Sequence, residues 1–168
     1  QAQPTPVANT DTLEHQSGTA FYAQDAITLA PQWRLLVGVR VDSFRQSLLN
    51  RRTSVTTRQD PSATSPRIGI SWLPTSQWTV YASAGKSFRP NVGTDFSSQA
   101  FAPESGRALE LGAKWESVGQ RMGLTAALFD IRKRNVLTAD PVNTGYSIAA
   151  GEVGSRGLEL DVAGQVST

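Results

Sequence analysis

Cysteine is absent from this 168-residue chain, and histidine occurs once, as His15. The lack of cysteine excludes disulfide scaffolds, thiolate metal sites and cysteine nucleophiles. A single histidine leaves almost nothing for histidine-based metal binding or acid–base catalysis, and no G-x-S-x-G motif is present. The sequence therefore does not favour an enzyme, and we expect no catalytic residues, no cofactor and no protein metal site.

Long apolar runs are missing as well, since no stretch approaches the roughly 18 residues of a membrane helix. The net charge is only +2 and the basic residues are scattered, so we expect no nucleic-acid partner. Hydrophobic residues make up 39% of the chain and charged residues 18%. This moderate polarity is compatible with a transmembrane β-barrel, in which only every second residue meets lipid.

Alternation of apolar and polar residues is the main pattern present. Residues 108–116 show it clearly, with Leu111 and Trp115 on the apolar face. A polar turn at 117–120 follows, and a second alternating run covers 122–128. The pattern predicts an antiparallel β-hairpin.

Similar runs predict further strands, and together with the hairpin they make about seven: 18–30, 33–46, 66–73, 78–88 and 151–166. Turns of a few residues join the strands at one end, and long polar loops join them at the other, at 47–65, 89–106 and 133–150. This is the layout of an outer-membrane barrel. The predicted fold class is therefore all-β, an antiparallel up-and-down meander of about seven transmembrane strands within a larger barrel.

Two domains of different character are expected. Residues 1–17 contain Pro4, Pro6 and Asn9 and few apolar residues, which predicts an irregular leader or loop. Residues 18–168 would form part of the barrel. We expect the chain to be a fragment of a longer protein.

Tryptophans provide a second indication of a membrane barrel. All four lie beside short turns and on the apolar face of their strands: Trp33, Trp72, Trp78 and Trp115. We expect them to form a lipid-interface girdle. Toward the long loops the same face carries Lys86, Arg107, Asp130, Arg132 and Arg156, which either are solvated or contact phosphates of the outer leaflet.

The opposite face of the strands is polar. We expect its charged residues to line the barrel lumen: Arg40, Asp42, Arg67, Glu110, Lys114, Glu159 and Asp161. Arginine at Leu111 or Val39 should then disturb membrane insertion, whereas arginine at Gly112 or Ser71 should be tolerated.

The outer loops carry the candidate ligand-binding residues, which are Arg89, Phe96, Phe101 and Tyr146. Aromatic rings and arginine suit a planar, anionic metal chelate. Packing within the loops is the alternative role for each of these residues.

Five segments resemble consecutive barrel strands of TonB-dependent siderophore receptors, particularly the ferrichrome-receptor-like group: FYAQDAITLAPQWRLLVGVRVDSF, SPRIGISWLPTSQWTVYASAGKSFRPN, FAPESGRALELGAKWE, LFDIRKRNVLTADP and AAGEVGSRGLELDVAGQ. Pro-Glu-x-Gly followed by Glu-x-Gly-x-Lys, at 103–114, is a familiar signature of that family. The resemblance implies a roughly 22-stranded barrel of the Gram-negative outer membrane. It also implies a plug domain, absent from these residues, through which TonB drives import of ferric siderophores.

Other functions remain open from the residues alone. A passive porin or structural outer-membrane barrel would show the same strands without a plug. An outer-membrane lipase or protease would need a positioned nucleophile and base, which the sequence does not offer. A soluble lipocalin-like binder conflicts with the loop lengths and with the tryptophan positions.

Overall fold

The computed structural model describes residues 11–119 and 121–165. These residues form eight β-strands: β1 (Thr12–Ala30), β2 (Trp33–Asn50), β3 (Val55–Gln59), β4 (Ser62–Trp72), β5 (Trp78–Arg89), β6 (Glu104–Glu116), β7 (Met122–Ala139) and β8 (Ser147–Gly164). No helix long and apolar enough to cross a membrane occurs among them.

The strands form one antiparallel sheet in the order β1-β2-β4-β5-β6-β7-β8. Every strand on this path pairs with its predecessor on the path, so the predicted up-and-down meander is confirmed. The short β3 lies off the path and pairs with the end of β2, from Gln46 to Asn50. It is one strand more than the sequence predicted.

Two of the three predicted long loops are wrong in large part. Most of 47–65 belongs to β2, β3 and β4, and most of 133–150 belongs to β7 and β8. Only 90–103, between β5 and β6, is a long connection without a strand. The polar composition of these two segments led to the prediction of loops. A β-hairpin exposed to water on both faces needs no apolar alternation, because backbone hydrogen bonds hold its strands together.

The first strand also begins earlier than predicted. β1 starts at Thr12 and pairs continuously with β2 from Thr12↔Asn50 onward. The expectation of an irregular segment up to residue 17 is therefore wrong for Thr12–Ser17, because pairing with the long β2 extends this end of β1. Residues 1–10 of that segment lie outside the described residues.

The sheet is a single layer, and it leaves most of its large apolar side chains exposed. Leu111 is 54% exposed and Leu160 is 65% exposed. Among the described residues the buried apolar side chains are Phe101 and Ala127. Such a sheet cannot be stabilised by an internal core, so its apolar face needs an external apolar environment.

Candidate functional site

Strand register gathers the aliphatic side chains on one side of the sheet, here called the apolar face. One cross-strand row runs from β2 to β8: Leu35, Ile70, Ala82, Leu111, Leu128 and Leu158. Paired residues point to the same face in an antiparallel sheet. The apolar face is therefore continuous across at least six strands.

The four tryptophans lie on the apolar face, at the end of the sheet that carries the short turns. They form two cross-strand pairs, Trp33↔Trp72 and Trp78↔Trp115. The rings of Trp33 and Trp72 stack with their centroids 6.1 Å apart. An aromatic band at one level of an apolar face is the arrangement found at membrane–water interfaces.

Charged residues occupy the other end of the apolar face. Lys86 of β5 is paired with Arg107 of β6, which is paired with Arg132 of β7. One step closer to the tryptophans, Asp130 faces Arg156. All five charged residues assigned to this level by the sequence therefore share the apolar face, about eight residues along each strand from the tryptophans.

Asp25 is an acidic residue within the apolar face, and the sequence analysis assigned it no role. It lies on β1 opposite Val37, between Ala23 and Ile27 on the same face. No hydrogen bond or ion pair to Asp25 occurs within residues 11–119 and 121–165. Strict alternation along β1 would have indicated this position.

The opposite side of the sheet, here called the polar face, holds all seven residues predicted to line a lumen. Register places them together across β2, β4, β6 and β8. Arg40 Nη2 lies 2.8 Å from Asp42 Oδ1, and its Nε donates to the same carboxylate. The Arg67 side chain covers its cross-strand partner Gly38. A Cβ added at Gly38 would be only 3.0 Å from the arginine Cγ.

Tyr81 connects two of the polar-face charges, a role that the sequence analysis missed. Its hydroxyl donates a hydrogen bond of 2.6 Å to Glu110 Oε1, and Lys114 Nζ lies 5.5 Å from its ring centroid. The ring covers Gly112, where an added Cβ would be 2.5 Å from the ring. The expectation that arginine is tolerated at Gly112 stays a prediction, and the structure adds that any side chain there must displace the Tyr81 ring.

The four candidate ligand-binding residues have different environments. Phe101 is only 6% exposed and contacts Gly93 beneath the loop, which fits a packing role. Phe96 and Tyr146 are about half exposed and meet edge to face, with their centroids 5.1 Å apart. Arg89 is at the end of β5, paired with Glu104 on the polar face. Phe96 and Tyr146 are therefore the two that the structure brings together.

Asn91 fastens the base of the 90–103 connection. Its Nδ2 donates 2.7 Å hydrogen bonds to the carbonyl oxygens of Ala102 and Asn135, and the residue is 7% exposed. Asn135 in turn donates to the carbonyl of Pro103. Because these bonds fix both ends of the connection, the Phe96 side chain is held on an ordered loop rather than on a free one.

Asp140 orders the neighbouring turn that carries Tyr146. Its Oδ1 accepts hydrogen bonds from the amides of Val142 and Asn143, and its Oδ2 accepts one from the Asn143 side chain. These bonds, the one from the Asn143 side chain first, lower the pKa of Asp140 below its ordinary value. They favour the ionised carboxylate.

The order of this turn should depend on pH. A folded pKa below the ordinary value of about 3.9 means that the turn is fully ordered above that value and loosens as pH falls through the lower, folded pKa. A spin label at Val142→Cys should therefore become more mobile as pH falls from about 6 to about 2. With Asp140→Ala the label should be mobile at every pH, and a label insensitive to pH in both proteins would contradict the assignment.

No group of three or more metal-ligating side chains occurs in the part of the chain that the structure describes. The described geometry instead offers two differently solvated faces and an aromatic pair on the outer connections. These features suit a membrane-spanning wall with a binding rim.

Comparison with known proteins agrees with this class. The family model described as "TonB dependent receptor-like, beta-barrel" matches residues 1–167. The metal-pseudopaline receptor CntO of Pseudomonas aeruginosa is 41% identical over 98% of this chain, and the ferrichrome outer membrane transporter/phage receptor of Escherichia coli is 32% identical over 92% of it. The ferripyoverdine receptor of Pseudomonas aeruginosa matches in structure with a TM-score of 0.74, at 24% identity, over 98% of this chain and 22% of that one.

The fold and its two faces define an outer-membrane β-barrel, and the chain belongs to the TonB-dependent receptor β-barrel family. Members of this family are transport receptors of the Gram-negative outer membrane rather than enzymes. The chain spans about a quarter of the length of the two curated relatives, 24% and 21%.

Proposed function

We propose that this chain forms part of the wall of a receptor that binds metal–siderophore complexes and imports them with energy from TonB. The apolar face contacts outer-membrane lipid, the tryptophans form its girdle on the short-turn side, and the polar face lines the lumen. The observation that carries the proposal is that one face of a single-layer sheet carries a continuous aliphatic row between the tryptophans and an outer charged level, while the opposite face is polar along its length. The family membership supports the transport role.

The proposed substrate class is a metal held by an organic chelator. The relatives are described as receptors for metal-pseudopaline and for ferrichrome. In such substrates the chelator supplies the metal ligands, so the wall needs only groups that recognise the complex. The plug and the contact with TonB would be provided by parts of the receptor outside this chain.

The rim is the proposed contact with the chelate. Phe96 and Tyr146 expose aromatic surface on adjoining connections, and Arg89 adds a positive charge at the end of β5. Aromatic surface and a guanidinium group can stack on a planar, anionic complex. Phe101 is assigned to packing, because its ring is buried beneath Gly93.

Shortening the rim should weaken chelate binding while leaving the barrel assembled. Thr94 and Ala100 form a β-bridge, so their backbones lie close together. Residues 95–99 can therefore be replaced by two glycines without displacing Asn91 or Phe101. Loss of the Phe96 ring should weaken binding of the ferric chelate about tenfold, the scale of an aromatic contact at a binding hot spot. A binding titration on the complete receptor, with iron-limited growth on the same siderophore, measures this.

Two controls define the outcome. Phe96→Ala should reproduce most of the loss, whereas Val142→Ala, in the Tyr146 turn but 83% exposed, should leave affinity unchanged. Unaltered binding after shortening would remove this connection from the site. Import that continues without TonB would instead favour a passive pore.

A further inference from the structure

The sheet divides into two panels at its outer end. β4 and β5 pair only from Trp72↔Val80 to Arg67↔Gly85, although both strands continue outward. Beyond this point β4 pairs with β2, which also pairs with β3, whereas β5 pairs with β6. The first panel is therefore β1–β4 and the second is β5–β8. Strand pairing does not fix the spacing of the two panels at the outer end.

Hydrogen bonds from the 90–103 connection cross between the panels. This connection joins β5 to β6 and so belongs to the second panel. Gln59 of β3, in the first panel, donates from Nε2 to the carbonyl oxygen of Asn91 at 3.3 Å. Thr57 of the same strand donates from Oγ1 to the carbonyl oxygen of Ser98 at 3.4 Å. The connection therefore bridges the gap that strand pairing leaves open.

A chain of amide side chains runs through this bridge. Gln46 Nε2 donates to the Glu14 carboxylate, and Gln46 Oε1 accepts from Gln59. Gln59 reaches Asn91, which donates to the carbonyl oxygen of Asn135 on β7 at 2.7 Å. These four amide residues, Gln46, Gln59, Asn91 and Asn135, are here called the amide seam. With Glu14 as its terminal acceptor, the amide seam links β1, β2 and β3 to β7.

Two members of the amide seam are buried, although the sheet is a single layer. Gln46 is 5% exposed and Asn91 is 7% exposed, and they are the two buried polar residues among residues 11–119 and 121–165. No buried side-chain nitrogen or oxygen in those ranges lacks a hydrogen-bond partner. A satisfied buried network favours one arrangement, because the alternatives leave a buried group unpaired. The amide seam therefore fixes the geometry of the outer end.

Asn135 joins the connection that carries Phe96 to the hairpin that carries Tyr146. Its φ of 58° is left-handed, a conformation that asparagine tolerates better than most residues. Its carbonyl oxygen accepts from Asn91, and its side chain donates a 2.9 Å hydrogen bond to the carbonyl oxygen of Pro103. β7 continues from here to the turn before β8. The two ring-bearing segments are thus tied together at their bases.

We propose that the amide seam positions the Phe96 ring against Tyr146 for chelate binding, with Gln59 and Asn91 as positioning residues. The first panel, through β3, then sets the geometry of a rim that belongs to the second panel. The proposal rests on the proposed function of the rim. Breaking the amide seam should leave the barrel assembled, because the strand pairs below the gap are unchanged, but it should let the two rings separate.

The first measurement is a distance that does not depend on the chelate. Nitroxide labels are placed at Ser97→Cys and Thr144→Cys, two exposed positions, in the complete receptor without other cysteines. Double electron–electron resonance should give one narrow distance in the otherwise unchanged receptor and a broad distribution after Gln59→Ala. Thr56→Ala is the matched control, because Thr56 lies on the opposite side of β3 from Gln59 and is exposed. This control should keep the narrow distance.

The second measurement is chelate affinity of the unlabelled variants. The probe is metal-pseudopaline or ferrichrome, whichever supports growth that depends on the complete receptor. Gln59→Ala should weaken binding about fivefold, the scale of one lost neutral hydrogen bond. Asn91→Asp keeps the side-chain size but loses both donated hydrogen bonds, and should approach the tenfold loss, roughly, that removal of the Phe96 ring would cause. Thr56→Ala should leave affinity unchanged.

Covalent rescue separates position from a general structural effect. The denaturant midpoint of Gln59→Ala should equal that of the wild type, because its hydrogen bonds lie beyond the paired part of the sheet. Thr57 and Ser98 are close enough for a 3.4 Å hydrogen bond, so cysteines at these positions can be joined by a short bis-maleimide. In the Gln59→Ala receptor this cross-link should restore both the narrow distance and the affinity.

The outcomes distinguish the amide seam from the rim. A narrow distance retained in both Gln59→Ala and Asn91→Asp would overturn the proposal. Broad distances with wild-type affinity, in a receptor whose affinity falls on Phe96→Ala, would also overturn it, as would a cross-link that restores the distance and not the affinity. Wild-type affinity of Phe96→Ala would instead show that the rim is not the chelate site, whatever the distances are.

Discussion

Arginine in place of Leu111 should destabilise the membrane-inserted receptor by about 2–4 kcal/mol, the cost of a cation on the lipid face near the bilayer midplane. Leu111 lies on β6 between Leu109 and Ala113 of the same face, flanked across the strands by Ala82 and Leu128. No carboxylate is among these neighbours to compensate the charge. Val39 of β2 lies opposite Pro66, at the level of Lys86 and Arg107, so Val39→Arg should cost only about 0–1 kcal/mol, as expected near the interface.

Ser83→Arg is the matched control for Leu111→Arg. Ser83 is exposed on the polar face of β5 and pairs directly with Glu110, so arginine there meets water and an opposite charge. Denaturant titration of the complete receptor in lipid vesicles, together with the assembled fraction on gels, measures both variants. Equal destabilisation by the two arginines would contradict the assignment of the faces.

Replacing Gly112 by alanine should destabilise the receptor by about 1–3 kcal/mol, because the new side chain displaces the Tyr81 ring. The new Cβ would be 2.5 Å from the Tyr81 ring. The ring can leave only by giving up the hydrogen bond to Glu110 and the contact with Lys114. Gly123 of β7 is the matched control, because a Cβ added there would have Trp115 O, at 3.9 Å, as its nearest atom. Gly123→Ala should therefore be nearly neutral.

A double-mutant cycle isolates the steric cause. In a Tyr81→Ser background the ring is gone, and Gly112→Ala should then cost little. Urea titration of the four proteins in the same lipid gives the coupling free energy. Additive effects of the two substitutions would show that Gly112 is required for a reason other than the ring above it.

Local alternation was sufficient for the fold class and for the division of residues between faces. Leu111 and Glu110 are adjacent in sequence, and the period of two in a strand places them on opposite faces without further information. The tryptophans beside the short turns likewise indicated one end of the sheet, because turn and strand are local features. Family resemblance in the same segments agreed with that reading.

Strand ends and loop contacts could not be predicted in this way. The segments 47–65 and 133–150 are rich in polar residues and lack a regular alternation of apolar and polar residues, yet backbone pairing with neighbouring strands makes most of each a strand. Phe101 and Phe96 are both aromatic residues in one polar connection, and only tertiary contacts make the first a buried anchor and the second an exposed rim residue.

The sequence by itself determined which side of each strand is apolar, because side-chain direction in a strand follows from position alone. Only the tertiary structure decided which residues meet across strands, because register depends on pairing between distant segments. That register placed Tyr81 over Gly112 and set Lys86, Arg107 and Arg132 in one row. It also opened the gap between β4 and β5, a feature that no single strand encodes.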